Sequence, residues 1–361
     1  MPDPSVAIVA PNFRPRIGGI ESFVEGLAAS AWPASTVVVA PPVDGDRVWD
    51  STAPFRVERS RLVWPVPPRW LGAWSVVRRL SGQVDLLVCA EWWPAARAPA
   101  RRGQARRVLM AHGTEIVGAQ GRAEASMRRA VRSMDLVVAN SDYTAGQVEA
   151  RIPGCPPVEV LCPGVDIGPP SADLGEVRDR LGLGAGPVVL TAARLVTRKG
   201  HVEFARHWPG IEARVPGAQW VVAGDGPRAD ELRAAATSSV KMVGAVDADT
   251  LRALYALADV HLLPGLPSAE VEGFGMAIVE AGAAGTPSVA SDLGGTGEAL
   301  GGGGVLVPGG DMAAMAEAVT ELLTDAPRRM DLAGRARRRA EELAWDRVGE
   351  RFRRIIGERV G

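Results

Sequence analysis

Two glutamates, Glu272 and Glu280, enclose a Gly-Phe-Gly turn formed by Gly273, Phe274 and Gly275. The residues after the turn predict a short helix, whose first backbone N–H groups lack partners within the helix and favour a phosphate at the positive end of its dipole. The two carboxylates instead accept hydrogen bonds from hydroxyls, which contribute about 1.5 to 3 kcal/mol each. The stretch therefore predicts a site for a molecule with hydroxyls on both sides of a phosphate, as in a nucleotide sugar.

A second candidate is the pair Arg194 and Lys199, which follows the predicted strand 188–192. Doubly wound sheets bind their ligands at the carboxyl ends of the strands. Two cations on such a loop can converge on a diphosphate, the arginine as a planar fork and the lysine as a point charge. A solvated basic loop is the alternative interpretation of the same residues.

Two further candidates lie in the first half of the chain. Gly18 and Gly19 follow the apolar run 6–10, and glycines between a first strand and a first helix allow close approach of a ligand. An ordinary strand-to-helix turn explains them equally well. His112 directly follows the predicted strand 107–111 and precedes a glycine, which favours a ligand contact over a purely structural role.

The elements that must position these residues are apolar strands alternating with helical segments. This alternation is typical of an α/β fold with parallel sheets. A chain of 361 residues that is 47% apolar is long enough for two domains with separate cores. A run rich in proline and glycine predicts the boundary near residue 168. The predicted strands are 6–10, 36–40, 85–90, 107–111, 136–139, 188–192, 220–223, 240–246, 258–264 and 287–291.

One motif favours a different class of enzyme. Gly224 begins the sequence GDGPRA, which fits the G-x-G-x-x-A fingerprint of an NAD-dependent oxidoreductase, with Asp247 and Asp249 about twenty residues further on. However, the fingerprint belongs on the first strand–helix unit of its domain, whereas the strand 188–192 precedes this one. Capping of the next helix is the better interpretation of the two aspartates.

Composition argues against several other classes. A formal net charge of −1 gives no attraction for nucleic acid. Three cysteines without a CxxC pair indicate neither a disulfide framework nor a zinc site. The sequence has no cluster of histidines and carboxylates typical of a metal site, so we expect no metal or other cofactor. The expected compartment is the cytoplasm, because the apolar run near the N-terminus is too short for a signal peptide or a transmembrane helix.

Tryptophan and arginine concentrate in one region of the first half. Such a cluster can line a cleft for a sugar or an aglycone, lie at a lipid headgroup interface, or belong to a core. Core packing is the favoured interpretation for most of the tryptophans, and contact with a membrane stays open as the alternative. The residues concerned are Trp64, Trp70, Trp74, Trp92 and Trp93, interleaved with Arg61, Arg69, Arg78 and Arg79, and a second basic stretch follows at 97–107.

These motifs occur in an order that resembles one enzyme family, the retaining glycosyltransferases of family 4. The resemblance covers nearly the whole chain and implies a GT-B fold, in which two Rossmann-like doubly wound parallel-sheet domains face each other across a cleft. It assigns 1–168 to the acceptor and 169–345 to the nucleotide-sugar donor, with a last helix, 346–361, that returns to the first domain. The motifs are GGIES at Gly18, HGTE at His112, R-x4-K-G at Arg194, E-x7-E at Glu272 and GGTGE at Gly294.

The resemblance also implies roles for the candidate residues. His112 would contact the donor sugar, Arg194 and Lys199 would neutralise the diphosphate, and Glu272 would hold sugar hydroxyls. Backbone groups near Met242 and Val243 would pair with the base, and Glu280 would bind the ribose. The remaining donor-site residues are Gly18, Gly19, Gly224, Gly273, Phe274 and Gly275.

The donor and the acceptor follow from finer similarities. The PRIGGIES, HGTE and EVEGFG elements look most like mannosyltransferases that act on phosphatidylinositol, which favours GDP-mannose as the donor. The acceptor would be a hydroxyl of a lipid-linked or small molecule, reached without a metal ion and with peripheral membrane contact through the first domain. Glycosyltransferases of natural products, which use UDP-sugars, share these elements and are the alternative. A nucleotide-sugar-binding protein without catalysis is a further alternative from a different class.

Overall fold

The computed structural model of the chain describes residues 3–16, 18–63, 70–94, 105–268 and 271–360. Trp64, Arg69 and most of the basic stretch 97–107 lie outside these residues, as do the side chains of Trp70 and Trp74. The chain divides into two compact units, the first made of Met1–Gly164 and Leu343–Gly361 and the second of Val165–Glu342. The first division lies a few residues before the predicted boundary at 168.

The first unit contains a seven-stranded sheet in which all strands are parallel, in the order β3-β2-β1-β4-β5-β6-β7. The chain builds outward from β1 to β3 and then returns to β4 on the other side of β1, so the order reverses between β1 and β4. The strands are β1 Val6–Val9, β2 Thr36–Ala40, β3 Arg56–Arg59, β4 Leu86–Cys89, β5 Arg106–Ala111, β6 Leu136–Ala139 and β7 Val158–Val160. The helices are α1 Gly19–Ser30, α2 Asp46–Asp50, α3 Trp70–Leu80, α4 Thr114–Val117, α5 Gly121–Arg132 and α6 Asp142–Arg151.

The second unit repeats this design with six parallel strands in the order β10-β9-β8-β11-β12-β13. The order reverses between β8 and β11. The strands are β8 Val188–Ala192, β9 Gln219–Ala223, β10 Val240–Gly244, β11 Val260–Leu263, β12 Ser288–Asp292 and β13 Gly304–Pro308. The helices are α7 Leu174–Arg180, α8 His201–Ala205, α9 Trp208–Arg214, α10 Ala229–Ala235, α11 Ala248–Leu257, α12 Met276–Ala283, α13 Thr296–Leu300, α14 Met312–Thr324 and α15 Ala326–Glu342, and α16, Trp345–Arg359, belongs to the first unit.

Burial on both faces explains why the central strands read as continuous apolar runs. Along β1, Val6 and Ile8 belong to the core on one face, which α1 and α16 cover, whereas Ala7 and Val9 belong to the core on the other face. The predicted α/β fold with two parallel sheets is confirmed. The strands that were not predicted, β3, β7 and β13, all lie at sheet edges.

The last helix packs on the first unit through its first residue, Trp345. Its indole ring lies against Gly26 in α1 and Gly164 after β7, so closely that an added Cβ would lie 2.1 Å from the ring at Gly26 and 2.4 Å at Gly164. Near the other end of the same helix, Arg359 pairs with Glu159 of β7 at 2.6 Å. Glycine at these two positions therefore makes room for the ring that anchors the C-terminal helix.

Gly26→Ala should lower the stability of the first unit. Alanine in place of a helical glycine normally stabilises a protein by about 0.5 to 1 kcal/mol, but here the methyl group would overlap the Trp345 ring, at a cost of about 1 to 3 kcal/mol. Gly357→Ala, in α16, is the matched control, because nothing lies within 4 Å of an added Cβ there. Urea unfolding followed by fluorescence measures both variants, and equal midpoints for the two would contradict the packing described for Trp345.

Candidate active site

The point where the strand order reverses in the second unit brings two predicted site residues together. The neighbouring parallel strands β8 and β11 end side by side, and their loops leave toward opposite halves of the sheet. The loop after β8 carries Lys199, and the loop after β11 carries Glu272. The Lys199 ammonium donates to Oε2 of Glu272 at 2.6 Å, although the two residues are 73 positions apart in the chain.

Arg198 contacts the same carboxylate and was not among the residues predicted from the sequence. Its Nη1 donates to Oε2 of Glu272 at 3.1 Å. The side chains of Arg198, Lys199 and Glu272 are 19%, 13% and 25% exposed, so the cluster is largely withdrawn from water. The only sequence signal for Arg198 is its charge and its place beside Lys199, which does not reveal its partner.

The charge of Glu272 is maintained by these partners. Burial alone would raise the pKa of its carboxyl group, but Lys199 and Arg198 outweigh that effect and lower the pKa below its usual value. Two cations and one carboxylate leave a positive charge on the cluster. This charge lies in a depression of the second unit that is also lined by Gly265, Ser291 and Thr296.

The GGTGE motif fixes the backbone of Glu272. Gly295 N–H donates to the carbonyl oxygen of Glu272 at 3.1 Å. Gly294 has a φ of +65°, and an added Cβ there would lie 2.1 Å from the same oxygen. The glycine pair therefore serves the close packing of the loop after β12 on the carboxylate-bearing loop.

Gly224 has a similar role beside Arg194. Its φ is +138°, and an added Cβ would lie 2.0 Å from the carbonyl oxygen of Ala193. Leu195 N–H also donates to the carbonyl oxygen of Asp225 at 2.9 Å, so the GDGP turn lies directly on the loop that carries Arg194. The Arg194 side chain is exposed and forms no ion pair with any residue that the structure describes.

The predicted turn before α12 is present, except that Glu270 lies outside the described residues. Phe274 is buried, and Gly275 has a φ of +104° at the position that precedes the first helical residue, Met276. Glycine adopts this conformation without the strain that a side chain would cause. The turn directs the chain into α12 and brings Glu280 to the second turn of that helix.

Glu280 is oriented by a residue that the sequence did not reveal. The hydroxyl of Tyr255, in α11, donates to Oε2 of Glu280 at 2.8 Å. Burial, and then the negative charge of Glu280, raise the pKa of the Tyr255 phenol well above its usual value. The phenol therefore stays protonated and remains a hydrogen-bond donor to the carboxylate.

Met242 and Val243 lie on β10, which is an edge strand. The pairing register shifts between Met242 and Gly244, so Val243 has no Cα partner on β9. Bulges of this kind redirect backbone groups near functional sites. Asp247, which follows this strand, accepts a hydrogen bond from Thr250 N–H at 2.8 Å, which confirms its predicted role as a helix cap.

The other predicted residues belong to the first unit. Gly18 and Gly19 lie at the start of α1, where the carboxylate of Glu21 folds so close to Gly18 that an added Cβ would lie 2.3 Å from it. His112 follows β5, and its Nε2 lies 2.8 Å from the carbonyl oxygen of Ala90. Burial lowers the pKa of His112, so the ring is neutral and Nε2 carries the proton that this carbonyl accepts.

Glu91 is a further buried carboxylate near His112 that was not predicted. It follows β4 and accepts hydrogen bonds from Asn12 Nδ2, after β1, at 2.6 Å and from Trp93 Nε1 at 2.9 Å. Burial raises the pKa of Glu91. The pair Asn12 and Glu91 thus spans the point where the strand order reverses in the first sheet.

The described residues were also compared with the expectations that the chain has no metal site and no transmembrane helix. In the described part of the chain, no three His, Cys, Asp or Glu side chains are grouped so that they could hold a metal ion. Across those same ranges, no helix combines the length and the apolar character needed to cross a membrane.

Trp92, of the tryptophan-rich region, packs against the core of the first unit, as the core interpretation predicts.

Comparison with known proteins agrees with this arrangement. The family described as Glycosyltransferase Family 4 matches residues 17–168, and the family described as Glycosyl transferases group 1 matches residues 186–325. A GDP-mannose-dependent alpha-(1-6)-phosphatidylinositol monomannoside mannosyltransferase of Mycolicibacterium smegmatis is 32% identical over 98% of this chain and 98% of its own length. A GDP-mannose-dependent monoacylated alpha-(1-6)-phosphatidylinositol monomannoside mannosyltransferase of Corynebacterium glutamicum is 30% identical over 97% of this chain and 97% of its own length.

Among solved structures, Anabaena Alr3699/HepE in complex with UDP and glucose has a TM-score of 0.80 and 19% identity over 98% of this chain and 99% of its own. WaaG, a glycosyltransferase involved in lipopolysaccharide biosynthesis, has a TM-score of 0.72 and 18% identity over 97% and 99%. At these identities the likeness shows the fold alone, which is GT-B as predicted. With relatives above 30% identity along nearly its whole length, the chain is a glycosyltransferase and belongs to glycosyltransferase family 4.

Proposed function

We propose that this enzyme transfers mannose from GDP-mannose, with retention of configuration, to a hydroxyl of an acceptor that contains phosphoinositol. The observation that carries the proposal is the cluster of Lys199, Arg198 and Glu272 beside the loop of Arg194. It offers fixed positive charge to a diphosphate and a carboxylate to the adjoining sugar. The names of the relatives at 30 to 34% identity support mannose and GDP as the donor groups.

In this proposal the positive charges act on the leaving group. The bond between the anomeric carbon and the diphosphate oxygen breaks, and Arg194 and Lys199 stabilise the negative charge that grows on the departing diphosphate. Electrostatic stabilisation of this kind is commonly the largest single contribution to catalysis. The N–H groups at the start of α12, at the positive end of the helix dipole, would add to it.

The acceptor hydroxyl attacks from the same face of the sugar. Its oxygen forms the new bond to the anomeric carbon, and its proton passes to an oxygen of the departing diphosphate, so atoms and charge balance without a protein nucleophile. Glu272 accepts hydrogen bonds from the sugar hydroxyls, and Glu280, held by Tyr255, accepts them from the ribose. His112 would contact the sugar, as the family resemblance implies.

The acceptor is proposed from a chemical feature that the relatives share. The mannosyltransferases act on phosphatidylinositol monomannoside, and a D-inositol 3-phosphate glycosyltransferase of Salinispora tropica is 32% identical over 78% of this chain. Both acceptors carry an inositol with a phosphate. We favour the lipid-linked form, because the names of the relatives that match nearly the whole chain specify it. The enzyme would then act at the cytoplasmic face of a membrane, as a peripheral protein.

A donor and acceptor screen tests the proposal directly. GDP-mannose should raise the melting temperature more than UDP-glucose at equal concentration, because the ligand that binds more tightly stabilises the native state more. A ligand present at 100 times its Kd stabilises it by about 2.7 kcal/mol. Labelled mannose should then pass to phosphatidylinositol mannoside in vesicles. Preference for a UDP-sugar or for a soluble acceptor such as inositol phosphate would refute that part of the proposal, and binding without transfer would favour a non-catalytic protein.

Lys199→Ala should lower kcat/KM for the donor by about 100- to 1,000-fold, because one fixed charge on the leaving group is lost. Glu272→Gln keeps the shape of the side chain and should lower kcat about 10- to 100-fold through weaker bonds to the sugar hydroxyls. Arg206→Ala is the control, since this exposed arginine lies on the same unit outside the site. Initial rates at varied donor concentration measure all three, and near-normal turnover in both site variants would remove these residues from the mechanism.

Transfer should continue unchanged after treatment with excess EDTA. The reason is that Arg194 and Lys199 supply the positive charge that a divalent ion provides in other transferases. Rates measured after dialysis against EDTA, with and without added Mg²⁺ or Mn²⁺, check this expectation. Strict dependence on either ion would contradict it.

A further inference from the structure

The arrangement of charge around Glu272 assigns a role to Arg198 that neither its sequence position nor the proposed leaving-group chemistry requires. Among the contacts of the described residues, both Arg198 and Lys199 donate to Oε2 of Glu272, and none reaches Oε1. One carboxylate oxygen is thus held from two sides while the other is left for hydrogen bonds to a ligand.

In the proposed function, Lys199 has two anionic partners, the carboxylate of Glu272 and the diphosphate of the donor. In the proposed function its ammonium group binds the diphosphate of the donor, yet in the structure it lies 2.6 Å from Glu272. Any turn of the lysine toward the diphosphate weakens its hold on Glu272. A carboxylate that loses its partner in a site withdrawn from water becomes costly to keep ionised and free to rotate.

Arg198 can keep its contact with the Glu272 carboxylate when Lys199 turns toward the diphosphate. Its carbonyl oxygen accepts a hydrogen bond from Leu266 N–H at 2.8 Å, so its backbone is tied to the loop that leads to Glu272. Its planar guanidinium presents five N–H donors in a fixed geometry. Backbone and side chain therefore both connect the loops after β8 and β11.

We propose that Arg198 is a positioning residue, which holds Glu272 by Oε2 while Lys199 engages the diphosphate and thereby directs Oε1 to the hydroxyls of the transferred sugar. This inference rests on the proposed function, because it assigns Glu272 to the sugar and Lys199 to the leaving group. It differs from a simple phosphate-binding role, in which Arg198 itself would contact the diphosphate.

The test separates sugar positioning from phosphate binding in the full-length enzyme. Arg198→Gln should lower kcat for transfer from GDP-mannose about 10- to 100-fold, the effect of losing one charge-assisted hydrogen bond to a buried carboxylate. The Kd for GDP alone, measured by calorimetry, should change by less than about threefold, because GDP lacks the mannose whose hydroxyls Glu272 would bind. Arg198→Lys should recover most of the lost turnover, and Arg206→Gln, an exposed arginine of the same unit, is the matched control.

Each other result overturns the inference. A Kd for GDP that weakens in parallel with kcat would make Arg198 a phosphate ligand. Unchanged kcat in Arg198→Gln, with wild-type transfer intact, would refute the positioning role while leaving the proposed function in place. A lowered melting temperature in Arg198→Gln, with no recovery in Arg198→Lys, would make the residue structural. Absence of hexose transfer by the wild-type enzyme would refute the proposed function and this inference together.

Discussion

The ion pair between Lys199 and Glu272 depends on one feature of the topology, the adjacency of β8 and β11. The two residues are 73 positions apart, and only the return of the chain across the sheet brings their loops to a common edge. Removing charges from water is costly, so such a pair persists only where the backbone holds it in good geometry. Here the glycines at 294 and 295 fix the carbonyl of Glu272, which makes the loop after β12 part of the same constraint.

Several glycines of the second unit therefore allow close packing of one backbone segment on another. Gly224 begins a sequence that fits a dinucleotide fingerprint, in which glycine admits a pyrophosphate. In the structure its missing side chain admits the carbonyl of Ala193 instead, 2.0 Å from where a Cβ would lie. The same glycine motif can therefore occur in two different settings. Close packing of two backbone segments and close approach of a phosphate both require a residue without a side chain. Position in the sheet distinguishes them, and β9 is the second strand of its unit.

The sequence predicted the central strands but missed three of the four edge strands, and the reason is physical. A strand such as β6 is buried on both faces and reads LVVA, whereas β3 reads RVER because one side faces solvent. The predicted site residues came from motifs in which spacing along the chain carries the information. Arg198 and Tyr255 were missed because their partners, Glu272 and Glu280, are set by tertiary contacts between distant elements. Charge type alone does not reveal which carboxylate an arginine binds.

The two glutamates of the E-x7-E element have different partners, and the difference follows from their elements. Glu272 lies on a loop and is held by two cations, which lower the pKa of its carboxyl group and keep it charged. Glu280 lies on a helix and receives a neutral phenol, which fixes one oxygen without cancelling its charge. In the proposed function the first must tolerate a lysine that is shared with a diphosphate, so a second, permanent cation is needed nearby. In the same proposal the second would bind the ribose, and a hydrogen bond from a neutral donor is sufficient to orient it.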